Sequence, residues 1–244
     1  NAAVDGYRTI HLLKYYQEKI RKFQPDIITI NAQFSDFQPG FSYQRGEKFD
    51  KNPHIHHFTL QMKLDNVPFS YFAMVWSAAK LYYKLRDSVN LPWSDTGKPG
   101  IHLQTGHFFS EADSKKWTVG YKDNLQELIL LAKSDGVTPV LINFALPFFE
   151  NASLEAKTFA DQDLNLLGNW DDLVVGTQHM RDNIRELSES NNIPLIDVNG
   201  VFDTFNDDYK AKFKYFVDKN HLSATGSKVT AEIMLEPLRK IIQK

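Results

Sequence analysis

The sequence predicts an α/β domain in which a parallel β-sheet is covered by helices. Short β-branched, apolar runs alternate along the chain with stretches whose apolar residues recur at helical spacing, and this alternation favours parallel strands joined by helical crossovers. The chain has 244 residues, of which 42% are hydrophobic, enough for one sizeable core. Because no repeat or linker divides it, we predict a single domain over residues 1–244.

The first half of the chain predicts two helices, one strand and two irregular insertions. Apolar residues at helical spacing predict a helix over residues 8–23, and the β-branched run at 26–30 predicts a buried strand. The apolar, aromatic stretch at 69–87 predicts a further helix. Two stretches, at about residues 37–60 and 88–116, are rich in Gly and Pro and show no clear helical or strand periodicity. Long loops of this kind are often functional, so we expect both insertions to shape a pocket.

The second half of the chain has a regular pattern. Its predicted elements are a helix over residues 121–132 that ends at Gly136, a strand over 138–144, a helix over 173–187, a strand over 194–198 and a final helix over 229–241 that contains Pro237. Asn143 falls near the carboxyl end of a strand, where sites are built in open α/β sheets.

Composition excludes several classes of protein. The net charge is -2 and no basic cluster with interleaved aromatics occurs, so we expect no nucleic-acid partner. No apolar run approaches the length of a transmembrane helix. The absence of Cys excludes disulfides and thiolate chemistry but does not assign a compartment.

The segment from Asp218 to Gly226 carries the strongest chemical signal. Asp218 stands three residues before His221, a spacing that lets both side chains point to the same side of one turn. In a serine hydrolase, a histidine takes the proton of the nucleophile while a carboxylate fixes its tautomer and stabilises the imidazolium. Ser223 has the position of the N-cap of the last helix, which would hold this turn in place.

Three segments in this order resemble the SGNH (GDSL-type) hydrolase family of esterases, lipases and carbohydrate deacetylases. They are residues 1–7 with Gly6, residues 25–36 around the first strand, and residues 218–226. The resemblance implies a three-layer, flavodoxin-like α/β fold with a central parallel sheet and a site at the carboxyl ends of its strands. It covers nearly the whole chain and is weakest over residues 37–116.

The resemblance also implies a role for each matching residue. His221 matches the general base, Asp218 its orienting acid, and Gly6 a backbone donor of the oxyanion hole. The family's oxyanion Asn is replaced here by Ser35, and the Gly two residues before it is replaced by Gln33. Ser35 can still donate a hydrogen bond with a shorter reach, and the amide of Gln33 is a further candidate donor.

The family's nucleophilic Ser has no counterpart in this sequence. In the family it follows the first strand and precedes the block that Gly6 matches, but the sequence begins at that block. We therefore expect the first strand or strands, with the Ser, to come from a preceding segment or a companion chain. In a sheet of order 2-1-3-4-5 the absent strand is central, so the strand at 26–30 would otherwise have an unpaired apolar edge.

The combined interpretation is a serine ester hydrolase that acts on a small ester or a glycan ester through an acyl-enzyme, without metal or organic cofactor. One alternative is a catalytically inactive SGNH-fold module that binds a ligand or carbohydrate, which the departures at Ser35 and Gln33 favour. A further alternative is an acyltransferase that passes the acyl group to an alcohol.

Other groups of polar and aromatic residues receive a structural interpretation. We expect no metal site at the histidines or aspartates, and core packing for the aromatic band. These groups are His54, His56 and His57; Asp161, Asp163, Asp171 and Asp172; and Tyr71, Phe72, Trp76, Tyr82 and Tyr83.

Overall fold

The computed structural model describes residues 8–32, 36, 111–164, 170–218 and 221–243, without the side chains of residues 111–119 and 161–164. The strands are β1 (Ile27–Ile30), β2 (Thr138–Asn143) and β3 (Leu195–Asp197). The helices are α1 (Thr9–Glu18), α2 (Glu111–Ser134), α3 (Leu154–Leu164), α4 (Trp170–Asn191), α5 (Val198–Asp203), α6 (Tyr209–Phe213) and α7 (Ala224–Ile242), and a 3₁₀-helix spans Ile20–Phe23.

The three strands form a parallel sheet in the order β1-β2-β3. Ile27 pairs with Thr138 in the first ladder, and Leu141 pairs with Leu195 in the second. From Pro139 to Asn143 every residue of β2 is buried, as expected for a central parallel strand covered on both faces. The predicted α/β fold with a parallel sheet is confirmed.

Helices α1, α2 and α4 pack side by side, with α2 between the other two, and both α2 and α4 contact β2. The apolar faces that periodicity predicts on α2 and α4 are the faces that enter the core. Their fully buried members include Tyr121, Leu125, Ile129, Met180 and Ile184. Burial of such a face, more than helix propensity, stabilises a helix in a folded protein.

Several predicted boundaries are wrong. The predicted helix at 8–23 ends as an α-helix at Glu18 and continues as the 3₁₀-helix, which Gln24 closes with a left-handed φ of 48°. The insertion predicted over 88–116 is too long, because its last residues belong to α2, which begins at Glu111. The predicted strand at 194–198 is only Leu195–Asp197, since the Asp197 side chain accepts from Gly200 N and caps α5.

The last helix is long but shallowly packed. Pro237 lies inside α7, and only Gly226 and Thr230 of this helix are buried. Its apolar residues are half-buried against the core: Val229, Ile233, Met234, Leu238 and Ile241. None of the helices in the ranges given above is both long and apolar enough to cross a membrane.

Candidate active site

The turn between α6 and α7 holds the two residues that the sequence singles out. An antiparallel bridge between Phe216 and Leu222 forms its base, and Val217 N donates to His221 O at 2.9 Å. Phe216 is buried and its ring lies 5.8 Å from that of Phe202. The turn is therefore anchored in the core while Asp218 and His221 stand at its outer end.

Asp218 fixes both the ring and the backbone of His221. The carboxylate oxygen Oδ2 lies 2.7 Å from His221 Nδ1, and Oδ1 accepts from His221 N at 2.8 Å. With Nδ1 engaged by the carboxylate, Nε2 is the ring nitrogen left to accept a proton from a substrate or nucleophile. The predicted pairing of these two side chains is confirmed, whereas their catalytic roles stay predictions.

Ser223 ties this turn to the first turn of α7. Its Oγ accepts from Gly226 N at 3.1 Å and donates to Lys214 O at 2.8 Å. Ser223 N donates to Tyr215 O, also at 2.8 Å. Ser223 is thus the N-cap that the sequence predicts.

Gly226 is required by a close approach of two backbones. A Cβ at this position would lie 2.1 Å from Tyr215 O, well inside van der Waals contact. Only Gly lets the start of α7 pack this closely against the strand-like segment that leads to Asp218.

The remaining predicted site residues are not brought together by what the structure describes. Gly6, Gln33 and Ser35 lie outside the described residues, as do His54, His56 and His57 and the aromatic band at residues 71–83. Asp171 and Asp172 lie in the first turn of α4, and Asp171 pairs with Lys157 at 2.8 Å. Within the described ranges, no three His, Asp or Glu side chains form a group that could hold a metal.

At the carboxyl ends of β2 and β3, two polar side chains meet. Asn143 Nδ2 donates to Asp197 Oδ1 at 2.7 Å, and the same oxygen accepts from Gly200 N at 3.0 Å. The position of Asn143 is as predicted, but the pairing with Asp197 was not, because the two residues are far apart in sequence. Its consequence is structural, since the contact joins the ends of two strands.

Asp36 is a buried carboxylate to which the sequence assigned no role. Its Oδ2 accepts from Thr9 N at 3.1 Å and its Oδ1 from Thr9 Oγ1 at 2.9 Å. Burial raises the pKa of Asp36 to about 6, although the Thr9 hydrogen bonds and the charge of Arg8 lower it. The sequence offered one signal, since Asp36 directly follows the candidate oxyanion residue Ser35.

A second polar cluster surrounds the partly exposed Asp203, and the sequence did not predict it either. The Asp203 carboxylate accepts from Arg181, from Asn199 Nδ2 at 2.7 Å and from Lys212 Nζ at 3.4 Å. Lys212 is fully buried, and burial lowers its pKa to about 8. Asp203 and Arg181 also line a half-open cavity of about 280 Å³ beside Phe148.

Comparison with known proteins finds structures of similar fold but no related sequence family. No protein-family model and no curated protein matches the chain. Among solved structures, an acetyl xylan esterase is similar over 96% of this chain and 77% of its own length, with 13% identity and a TM-score of 0.52.

Two GDSL-like lipases are similar at lower scores. One, from Parabacteroides merdae, shares 14% identity over 95% of this chain and 68% of its own, with a TM-score of 0.48. The other, from Bacteroides thetaiotaomicron, shares 12% identity over 97% of this chain and 73% of its own, with a TM-score of 0.46. The fold of this chain is similar to that of the acetyl xylan esterase, in agreement with the α/β fold that the sequence predicts.

Proposed function

We propose that the protein is an ester hydrolase in which His221 is the general base, Asp218 orients it, and a Ser outside the 244 residues is the nucleophile. The observation that carries the proposal is the 2.7 Å contact between His221 Nδ1 and Asp218 Oδ2. The likeness to the fold of an acetyl xylan esterase supports it.

The pair supplies the proton chemistry that acyl transfer needs. His221 Nε2 accepts the proton of the Ser hydroxyl as its oxygen attacks the ester carbonyl, and then gives it to the departing alcohol. In the second half of the reaction water attacks the acyl-enzyme, and His221 takes its proton; His221 then returns the proton to the Ser oxygen as the bond between Ser and the acyl group breaks and the acid leaves. Asp218 stabilises the imidazolium that forms in each half and does not itself become protonated.

The Ser is proposed to arrive on a strand beside β1, in a preceding segment or a companion chain. Within the part of the chain that the structure describes, β1 pairs with β2 alone, which supports a position for this strand at the other edge of β1. Gly6 and Ser35, with Gln33 as a further candidate, are the proposed oxyanion donors. Donors of this kind contribute about 2.7–4 kcal/mol each to lowering the barrier.

The proposed substrate is a small ester or an O-acylated glycan. The His221 side chain is 57% exposed, so the turn does not itself restrict access to a narrow tunnel. A substrate with a bulky sugar could approach the imidazole from solvent. No metal or organic cofactor enters the proposed reaction.

Turnover of p-nitrophenyl acetate and acetylated xylan by the full natural protein tests the proposal. We expect His221→Ala to abolish turnover and Asp218→Asn to lower kcat by about 10⁴-fold, because the tautomer and the imidazolium lose their partner. Val217→Ala is the matched control, since this side chain is exposed in the same turn. Unchanged turnover in His221→Ala would contradict the proposal.

An acceptor alcohol added to the same assay separates hydrolysis from acyl transfer to an alcohol. Formation of the new ester in preference to free acid would identify an acyltransferase. If the natural protein instead binds acetylated xylan without turnover, and His221→Ala binds it equally well, the protein is a binding module.

A further inference from the structure

Asp36 caps helix α1 from a distance of 27 residues along the chain. Arg8, the residue at the N-cap position, is not a capping residue of the usual Ser, Thr, Asp or Asn type, and His11 supplies the local side-chain acceptor of the first turn. Arg8 N donates to His11 Nδ1 at 3.1 Å, which leaves the next amide, Thr9 N, to the Asp36 carboxylate. A carboxylate at this end also opposes the positive end of the helix dipole.

The contact is buried and extends to a second helix. Asp36 is 8% exposed and Thr9 is fully buried. Thr9 Oγ1 donates to Asp36 Oδ1 and accepts from Asn124 Nδ2 at 3.2 Å. Asp36 is thereby joined through Thr9 to α2, which lies at the centre of the helical layer. A charge-assisted bond in a low-dielectric setting is among the stronger hydrogen bonds of a protein.

The two ends of this contact adjoin the two proposed oxyanion segments. Ser35 immediately precedes Asp36, and Gly6 lies three residues before Thr9. Both proposed donors are therefore within a few peptide units of one buried bond. Because consecutive Cα atoms are about 3.8 Å apart, fixing Asp36 against Thr9 limits how far the two segments can separate.

We propose that Asp36 is a positioning residue, whose bond to the first turn of α1 holds the segments of Gly6 and Ser35 in the register that an oxyanion hole requires. Asp36 itself touches no reacting atom. This inference rests on the proposed function for its catalytic consequence, but the bond between Asp36 and Thr9 exists independently of activity. Displacement of an oxyanion donor by about 1 Å can cost roughly 100-fold in rate.

Three variants of the natural protein separate positioning from general stability. Asp36→Ala removes both bonds to Thr9, whereas Asp36→Asn keeps an acceptor for Thr9 N. Ser153→Ala is the matched control, because Ser153 Oγ accepts from Ala156 N at the start of α3 and is remote in sequence from both segments. Circular dichroism is used to check that each variant folds.

Hydrogen exchange followed by mass spectrometry measures whether the bond between Asp36 and Thr9 protects the two segments. In Asp36→Ala we expect lost protection in peptides that cover residues 1–8 and 31–37, with unchanged protection in α4. Asp36→Asn should retain most of it and Ser153→Ala all of it. If both segments stay protected in Asp36→Ala, the proposal is overturned, whatever the activity of the wild type.

Kinetics then test the catalytic consequence. We expect Asp36→Ala to lower kcat about 10- to 100-fold with KM little changed, and Asp36→Asn to restore most of the loss. Lost protection with unchanged kcat would overturn the positioning role. A wild-type protein without turnover would refute the proposed function instead, and the exchange result alone would then decide whether Asp36 ties the segments.

Discussion

Single carboxylates organise the important contacts, and they differ in how visible they are from the sequence. Asp218 binds both the backbone and the ring of His221. Because the two residues are only three positions apart, the pair can be predicted from a local sequence motif. Asp36 binds Thr9 across 27 residues, and Asp203 gathers Arg181 and Lys212 from two helices. The contacts of Asp36 and Asp203 depend on the tertiary fold, so no characteristic spacing in the sequence predicts them.

Asp36 should impose a pH dependence on stability. Its pKa of about 6 in the folded protein exceeds the ordinary value of 3.8, chiefly through burial, so between these values the folded state retains a proton that the unfolded chain has released. The free energy of unfolding should fall as pH rises through this window, by about 3 kcal/mol, and stay level above it. The charge of Arg8, which faces the carboxylate, moderates the effect. Burial raises the pKa of the nearby Tyr121, and the charge of Asp36 raises it further.

Urea unfolding at pH 4 and pH 7 measures this contribution. The difference in unfolding free energy between wild type and Asp36→Asn should change in favour of the variant as pH rises, because Asn cannot ionise. A difference that is the same at both pH values would contradict the prediction.

In the cluster around Asp203, substitution of the carboxylate and substitution of Lys212 should have unequal effects on stability. Asp203→Ala leaves the fully buried Lys212 ammonium and the partly exposed Arg181 guanidinium without this carboxylate, and we expect a loss of about 3–5 kcal/mol. Lys212→Met removes a fully buried ammonium while Arg181 and Asn199 still satisfy Asp203. Chemical denaturation should therefore show a much smaller change for Lys212→Met, and equal losses would contradict this account.

Among the elements, those with a sustained period could be predicted and the short ones could not. The apolar faces of α2 and α4 follow from helical spacing, and β2 from its β-branched run, because burial selects the same residues that the pattern shows. Helices α5 and α6 have six and five residues, too few for a period. They depend on capping by Asp197 and Asp208, whose side chains accept from Gly200 N and Ala211 N.

The close packing at the start of α7 leads to a prediction about a single secondary-structure element. Gly226→Ala would place a methyl 2.1 Å from Tyr215 O, so the helix start must move away from the turn that holds Asp218 and His221. We expect a lower melting temperature and a weakened Asp218–His221 contact, visible as a changed His221 imidazole resonance in NMR.

Gly120→Ala in α2 is the matched control, and its expected effect on stability has the opposite sign. A Cβ there meets nothing within 4 Å, and Ala is favoured over Gly inside a helix by about 0.5–1 kcal/mol. The same substitution should thus destabilise at one helix and stabilise at the other. Equal effects at the two glycines would show that the close approach to Tyr215 is unimportant.

For the whole molecule, two surfaces fit the proposed additional strand. One is the edge of β1 opposite β2, where Ile27 and Ile28 are only half-buried. The other is the half-buried apolar face of α7. Packing against either surface would bury apolar area that the described residues leave accessible, and a parallel strand beside β1 would bring a Ser to the sheet end where the expected site lies.

Labelling with a fluorophosphonate serine probe shows directly whether the natural protein carries a nucleophilic Ser that depends on His221. The natural protein is treated with the probe, its intact mass is measured under denaturing conditions, and the labelled peptide is sequenced; His221→Ala is treated in parallel. We predict one added probe on a Ser outside residues 1–244, in the same polypeptide or a companion chain, and little labelling in His221→Ala. An unlabelled natural protein, or equal labelling with and without His221, would contradict it.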